Sequence, residues 1–218
     1  MSTISANMVR ELRDKTSAGM MDCKKALEEN AGDFEKAIDW PRQKGLSAAG
    51  KKSGRIAAEG CVEAYIHGEG RIGVLVEVNC ETDFVARTPG YREFVKNIAL
   101  HIAATAPLSV SADEIPAHLI ERERQVLTAK AKEQGKKEEM IPKIVDGQIK
   151  KWIAENCLLE QAFVKNPDLK VGDYLKETIA KTGENMVVRR FVRFELGEGI
   201  EKKQEDFAAE VAAQIKKG

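Results

Sequence analysis

The chain has 218 residues, with 35 Lys plus Arg against 35 Asp plus Glu, so its formal net charge is zero. That length holds one sizeable domain or two small ones, and the charge balance excludes a generic nucleic-acid binder, which carries a clear positive excess. The apolar fraction of 43% suffices for a core, no apolar run approaches the roughly eighteen residues of a membrane span, and the N-terminus reads as neither a signal nor a transit peptide, so a cytoplasmic chain is the default.

Ile4, Met8, Val9 and Leu12 recur at helical spacing, and Gly19 suits a turn after them. Met20, Cys23 and Leu27 mark a second helical face. Asp33 can cap a third helix, whose face is Phe34, Ala37 and Ile38. Of the neighbours Met20 and Met21, one is expected in this small bundle's core and the other on its surface as an adaptable contact. Pro41 should stop or kink the third helix near Trp40. The acid-free stretch 41–58 carries Arg42, Lys44, Lys51, Lys52 and Arg55. It reads as a solvated linker, or else as a basic strip for an acidic partner or RNA, although no aromatics interleave it.

From Ile56 the period changes. Cys61–Ile66 reads as a strand, residues 67–70 as a turn, and Ile72, Val74, Val76 and Val78 as the inward set of a second, largely buried strand. Cys80–Gly90 is expected to be a loop. A helix is predicted over Tyr91–Thr105, with Phe94, Val95, Ile98 and Ile102 inward, His101 near that face and Pro107 ending it. Another opens around Ser111–Glu114 with Pro116 in its first turn and breaks at Gly135. Ile141, Ile144, Val145, Ile149, Trp152 and Ile153 stripe the next, which ends near Leu158. These two form an antiparallel helical hairpin over about 116–158. A short helix over Leu169–Lys181, opened by Asp168 or Gly172, precedes a last strand from Val187 to Phe194. Its arginines 189, 190 and 193 do not alternate cleanly, so one should lay its stem against the sheet. Phe207, Val211 and Ile215 stripe a terminal helix. The order of elements predicts an α+β fold, with a three-helix domain plus basic linker over 1–55 and an α+β core domain over 56–218.

The text holds no phosphate-binding loop, dinucleotide fingerprint, zinc-protease helix or nucleophile elbow. Cys23, Cys61, Cys80 and Cys157 are dispersed, and His67, His101 and His118 do not complete a metal-ligand pattern, so four free thiols, mostly buried, are expected and no metal. Cys80 and His67 could meet near the hairpin, but nothing would orient them as a nucleophile and base. No catalytic constellation emerges, which argues against an enzyme. One segment resists a purely structural account. Thr82-Asp83-Phe84-Val85 lies between a strand and a helix, and an aromatic left in water there is costly. Either Phe84 folds back onto the sheet or the following helix, or it is an exposed anchor for a partner's pocket, with Asp83 as an oriented polar contact.

Three stretches of this chain resemble signatures of the translation elongation factor Ts family, in the family's order: Val9–Arg13 through Thr16–Leu27, Glu77–Ala86, and Leu196–Lys202. The resemblance implies an exchange factor that promotes GDP release from GDP-bound elongation factor Tu without hydrolysing anything. It implies that the N-terminal domain is like a ubiquitin-associated domain and docks through Arg13, Met20 and Met21. It implies that Asp83 and Phe84 wedge beside the nucleotide, that Thr82–Val85 dislodges the partner's magnesium ion, and that Ile72, Gly73 and His101 flank the wedge. The metal is then the partner's, and this chain needs no cofactor. Longer family members carry two related core halves; a single hairpin, Tyr65–Cys80, stands here, so a homodimer that supplies the second half is a partner to expect. Pro41 also departs from the family pattern, where the third helix continues. The competing functions are a non-exchange adaptor for a ribosome-associated partner or RNA, which would lack the intact Asp83-Phe84, and a metabolic enzyme, which would need paired titratable groups.

Overall fold

The computed structural model describes residues 4–16, 19–38, 50 and 52–200. Trp40 and Pro41, most of the basic stretch, and the expected terminal helix lie outside the described residues.

Helices α1 (Ala6–Thr16) and α2 (Met20–Glu29) and the helical residues 34–38, here α3, close on Val9, Leu12, Cys23, Ala26, Leu27 and Ala37. The inward set follows the helical spacing, and Asp33 accepts from the Lys36 N–H as the cap of α3. This small bundle is consistent with a ubiquitin-associated-like domain. Met20 and Met21 correct the sequence expectation: both are exposed. So few residues enclose the bundle that Cys23, Ala26 and Leu27 already fill α2's inner face.

The second core forms on one sheet. Strands β1 (Glu59–His67), β2 (Ile72–Cys80) and β5 (Met186–Glu195) pair antiparallel in the order β1-β2-β5. Val74, Val76, Val78 and Cys80 of β2 meet Met186 and Val188 of β5 on the inner face. Over that face lies α5 (Pro89–Thr105), contributing Tyr91, Phe94, Val95, Ile98 and Ile102. Strand β2 is buried on this face alone, not largely on both, since Leu75 on the other face is exposed. Arg193 is the arginine whose stem lies against the sheet: it donates to the Ala103 carbonyl from Nε and Nη2, both at 3.3 Å.

Thr88 caps α5 and Pro89 takes its first turn, so the helix starts two residues before Tyr91. The stretch expected as a loop also contains a short helix, α4 (Asp83–Ala86). A 3-10 turn at Ala112–Glu114 precedes Pro116, which stands before α6 (Ala117–Glu133) rather than inside its first turn. Helices α6 and α7 (Ile141–Asn156) form the expected helical hairpin around Ala131, Ile141, Val145 and Ile149. A two-stranded ribbon, β3 (Ala162–Phe163) with β4 (Asn166–Lys170), then follows, and it claims Leu169 and Lys170 from the start of the expected helix. It takes up Asp168, so α8 (Val171–Thr182) opens after Lys170, not at Asp168 or Gly172. The fold is α+β. Among the described residues, no helix is long and apolar enough to cross a membrane.

Candidate functional site

Helix α4 is only four residues long, too short to hold itself, because nucleating a helical turn fixes several residues for a single hydrogen bond. Its neighbours fix it. The Thr82 hydroxyl accepts from the Val85 N–H at 3.4 Å, and the Thr88 hydroxyl donates to the Val85 carbonyl at 2.8 Å. The same Thr88 oxygen accepts from the Tyr91 N–H and so caps α5. Asp83 accepts from Arg87 one turn on, at 2.8 Å. Ala86 is buried against the sheet, whereas Phe84 is 80% exposed. Of the two fates open to Phe84, the structure shows the outward one.

Strand β2 ends beneath α4. Cys80, fully buried there, donates from its thiol to the Thr82 carbonyl at 3.2 Å. Burial, and then the nearby Glu184 carboxylate, push that thiol above its ordinary pKa, so it sits as a neutral packing group. Tyr91 reaches the Val78 carbonyl at 2.6 Å from the first turn of α5; burial foremost, and then bonding with Cys61, keep its hydroxyl protonated.

A connection invisible to local pattern completes the site. Because Cys80 pairs with Met186, the turn between α8 and β5 arrives beside Thr82. Glu184 accepts there from the Thr82 N–H at 3.0 Å and from its hydroxyl at 2.6 Å. Glu81 accepts from the Asn185 N–H at 2.6 Å, and the Asn185 side chain donates to the Arg55 carbonyl at 2.7 Å. Sequence reasoning placed Arg55 only in the basic stretch and missed Glu81, Glu184 and Asn185. Their partners lie more than a hundred residues away for the two acids, and no local pattern pairs them.

The remaining expected site residues are distributed differently. Thr82, Asp83, Phe84 and Val85 form one unit. Arg13, Met20 and Met21 are all exposed on the N-terminal bundle. Ile72 and Gly73 do not flank that unit: they open β2, and Cys80 closes it, a separation of about 27 Å along an extended strand. The same geometry parts Cys80 from His67, which pairs with Ile72 at the far end of the hairpin. Cys23, Cys80 and Cys157 are buried and Cys61 is half-buried.

His101 is completely buried, so in this fold it offers no direct contact to a partner. Its Nδ1 accepts from the Val164 N–H at 3.3 Å, which places the ring proton on Nε2, facing the Gln161 oxygen at 2.9 Å. The imidazole thus ties α5 to the β3–β4 ribbon. Burial foremost pulls its pKa below the ordinary value, with Gln161 opposing. Protonation would cost the Val164 bond. Above the unfolded value of about 6.5 the ring is neutral in both states and its contribution is complete. As pH falls through that value the unfolded chain binds the proton first, and stability declines until the folded ring titrates too. The urea midpoint is expected to fall from pH 7.5 to 5.5, and His101→Gln is expected to flatten that slope. An equal slope in both proteins would show that His101 is not its source.

The elongation factor TS family model matches residues 48–198. Curated relatives called elongation factor Ts align over nearly all of the chain. That of Carboxydothermus hydrogenoformans is 61% identical over 213 residues, 98% of each chain. That of Geobacter sulfurreducens is 61% identical over 97% of this chain and 98% of its own. That of Desulforamulus reducens is 60% identical over 99% of this chain and all of its own.

Proposed function

The chain belongs to the elongation factor Ts family, and on that premise we propose that it is a guanine nucleotide exchange factor for elongation factor Tu in translation elongation, not a catalyst of covalent chemistry. The observation that carries the mechanism is Phe84: an apolar ring 80% exposed on a helix capped at both ends. Such a side chain is placed to fill a pocket in a partner, with Asp83 held beside it as a polar contact. Bound GDP is held by Mg²⁺ and by the backbone amides of a phosphate loop. A wedge of Thr82–Val85 need not touch the phosphates; it has only to favour the arrangement in which the partner's Mg²⁺ is dislodged and GDP is weakly held. Linkage then makes the effect reciprocal, because a factor that weakens GDP must itself be weakened by GDP to the same ratio. GTP completes the exchange. The N-terminal domain, residues 1–55, supplies a second contact through Arg13, Met20 and Met21, and the core domain spans 56–218. The test is release of a fluorescent GDP analogue from elongation factor Tu. Strong acceleration by the wild-type chain is expected; binding without acceleration would favour an adaptor instead.

A homodimer is the other partner we propose, and the outer face of the sheet supports it. The register aligns Ile66, Gly73 and Phe194 in one row and Ala64, Leu75 and Val192 in the next. Ile66 and Phe194 are 65% and 68% exposed. An antiparallel sheet with a free face normally makes that face polar, whereas two apolar faces can pack about 10 Å apart as a sandwich. The wild-type chain is expected to sediment as a dimer, and Leu75→Glu, which places a charge in the middle of the face, as a monomer. A monomeric wild type at micromolar concentration would rule this out.

A further inference from the structure

We infer that Glu184 is a positioning residue for the Phe84 wedge, acting by clamping Thr82. The inference rests on the exchange function proposed above. Helix α4 has four residues and no means of fixing its own direction, so the angle at which Phe84 leaves the surface is set by the anchors around it, and Thr82, where the chain enters, carries the N-terminal one. That residue has one hydroxyl proton, and Glu184 takes it at 2.6 Å. With the proton so directed, the oxygen's remaining lone pairs are turned to the Val85 N–H that it caps at 3.4 Å. The second carboxylate oxygen takes the Thr82 backbone N–H at 3.0 Å. One side chain thereby fixes both the backbone and the capping rotamer of the residue from which the wedge starts.

Glu184 is itself held. The next residue, Asn185, is 2% exposed. Its N–H is bound by Glu81 at 2.6 Å and its side chain donates to the Arg55 carbonyl at 2.7 Å, while the Arg55 guanidinium lies 3.5 Å from Glu81. The two acids cross in opposite directions, Glu184 reaching from the last turn to the wedge and Glu81 from the wedge to the last turn. Bonds to an ionised acceptor are stronger than those between neutral groups, so this clamp outlasts solvent competition at a half-exposed site.

The test is GDP release from elongation factor Tu with Glu184→Ala, in the wild-type background and in Phe84→Ala. A loss of about tenfold in the accelerated rate is expected for Glu184→Ala alone, the scale of one or two charge-assisted hydrogen bonds. In the Phe84→Ala background the same substitution should cost less than about twofold, because residues acting through one another are not additive. Glu184→Gln keeps an acceptor but only one suitable oxygen, and should fall between. Thr82→Val, which removes only the hydroxyl half, should lose about threefold and serves if Glu184→Ala does not fold. An equal loss in both backgrounds would reduce Glu184 to a general stabiliser and overturn the inference. So would unchanged rates in Glu184→Ala and Thr82→Val while the wild type accelerates release. A wild type that accelerates nothing would overturn the exchange reading and this inference together.

Discussion

Phe84→Ala is expected to cut the accelerated release of GDP by roughly a hundredfold while leaving the thermal midpoint where it was. The two halves of that expectation come from the same fact. A ring that is 80% exposed has few contacts within its own chain to lose, so truncating it changes folding by no more than a few tenths of a kcal/mol, the ordinary scale of surface substitutions. If the ring is instead a buried anchor in the complex, its removal forfeits a hot spot worth about 2–4 kcal/mol, with each 1.4 kcal/mol a factor of ten. The helix beneath is unaffected, because Thr82, Thr88 and the Asp83–Arg87 pair do not involve the ring. Phe84→Leu, which keeps apolar volume but not the flat face, should retain part of the acceleration. Acceleration that survives Phe84→Ala undiminished would move the mechanism elsewhere, first to the surface carrying Arg13, Met20 and Met21.

Where the sequence was legible, one physical signal dominated each element. Val74, Val76 and Val78 announce an inward set at period two, and Phe94, Val95, Ile98 and Ile102 announce one at the helical period; both sets are buried as expected. Where it was not, the element was too short for any period. Helix α4 has four residues, β3 has two, and β4 has five with Pro167 among them, so only terminal chemistry could reveal them. That chemistry was present: Thr82 and Thr88 both stand at cap positions, the second directly before Pro89, a recognisable helix start. The outer sheet face was hidden for a different reason. Leu75, Val192 and Phe194 are apolar where alternation should turn polar, and unbroken apolar text reads as burial on both sides. The Glu184–Thr82 clamp was beyond local reading, since only the pairing of β2 with β5 brings its halves together.

Gly60→Ala is expected to be the most damaging single methyl group in the core domain, costing roughly 3 kcal/mol or more of stability. Two independent penalties coincide there. Gly60 has φ +138, a region essentially reserved for glycine and worth about 1–3 kcal/mol of strain to any other residue. There is also no room: a Cβ would overlap the Val78 carbonyl oxygen and stand 2.8 Å from Asn79 Cα and 3.0 Å from the Tyr91 hydroxyl. Backbone atoms of the central strand cannot rotate aside as a side-chain tip would. The bare α-carbon is what lets Tyr91, wholly buried, bring its hydroxyl to the Val78 carbonyl at 2.6 Å and so fasten the start of α5 to β2. Gly70→Ala supplies the control, since its φ is +89 but nothing lies within 4 Å of the added methyl; it should cost only the backbone strain. Tyr91→Phe should cost about 1–2 kcal/mol for the stranded carbonyl, and combined with Gly60→Ala it should cost less than the sum, because both substitutions disrupt one junction. Urea unfolding of the wild type and the four variants measures this. A Gly60→Ala midpoint equal to that of Gly70→Ala would mean that β1 gives way cheaply. Because α4 rests on β1 and β2, the same yielding should then appear as slower GDP release, linking the tightest backbone approach in the sheet to the angle at which Phe84 is held.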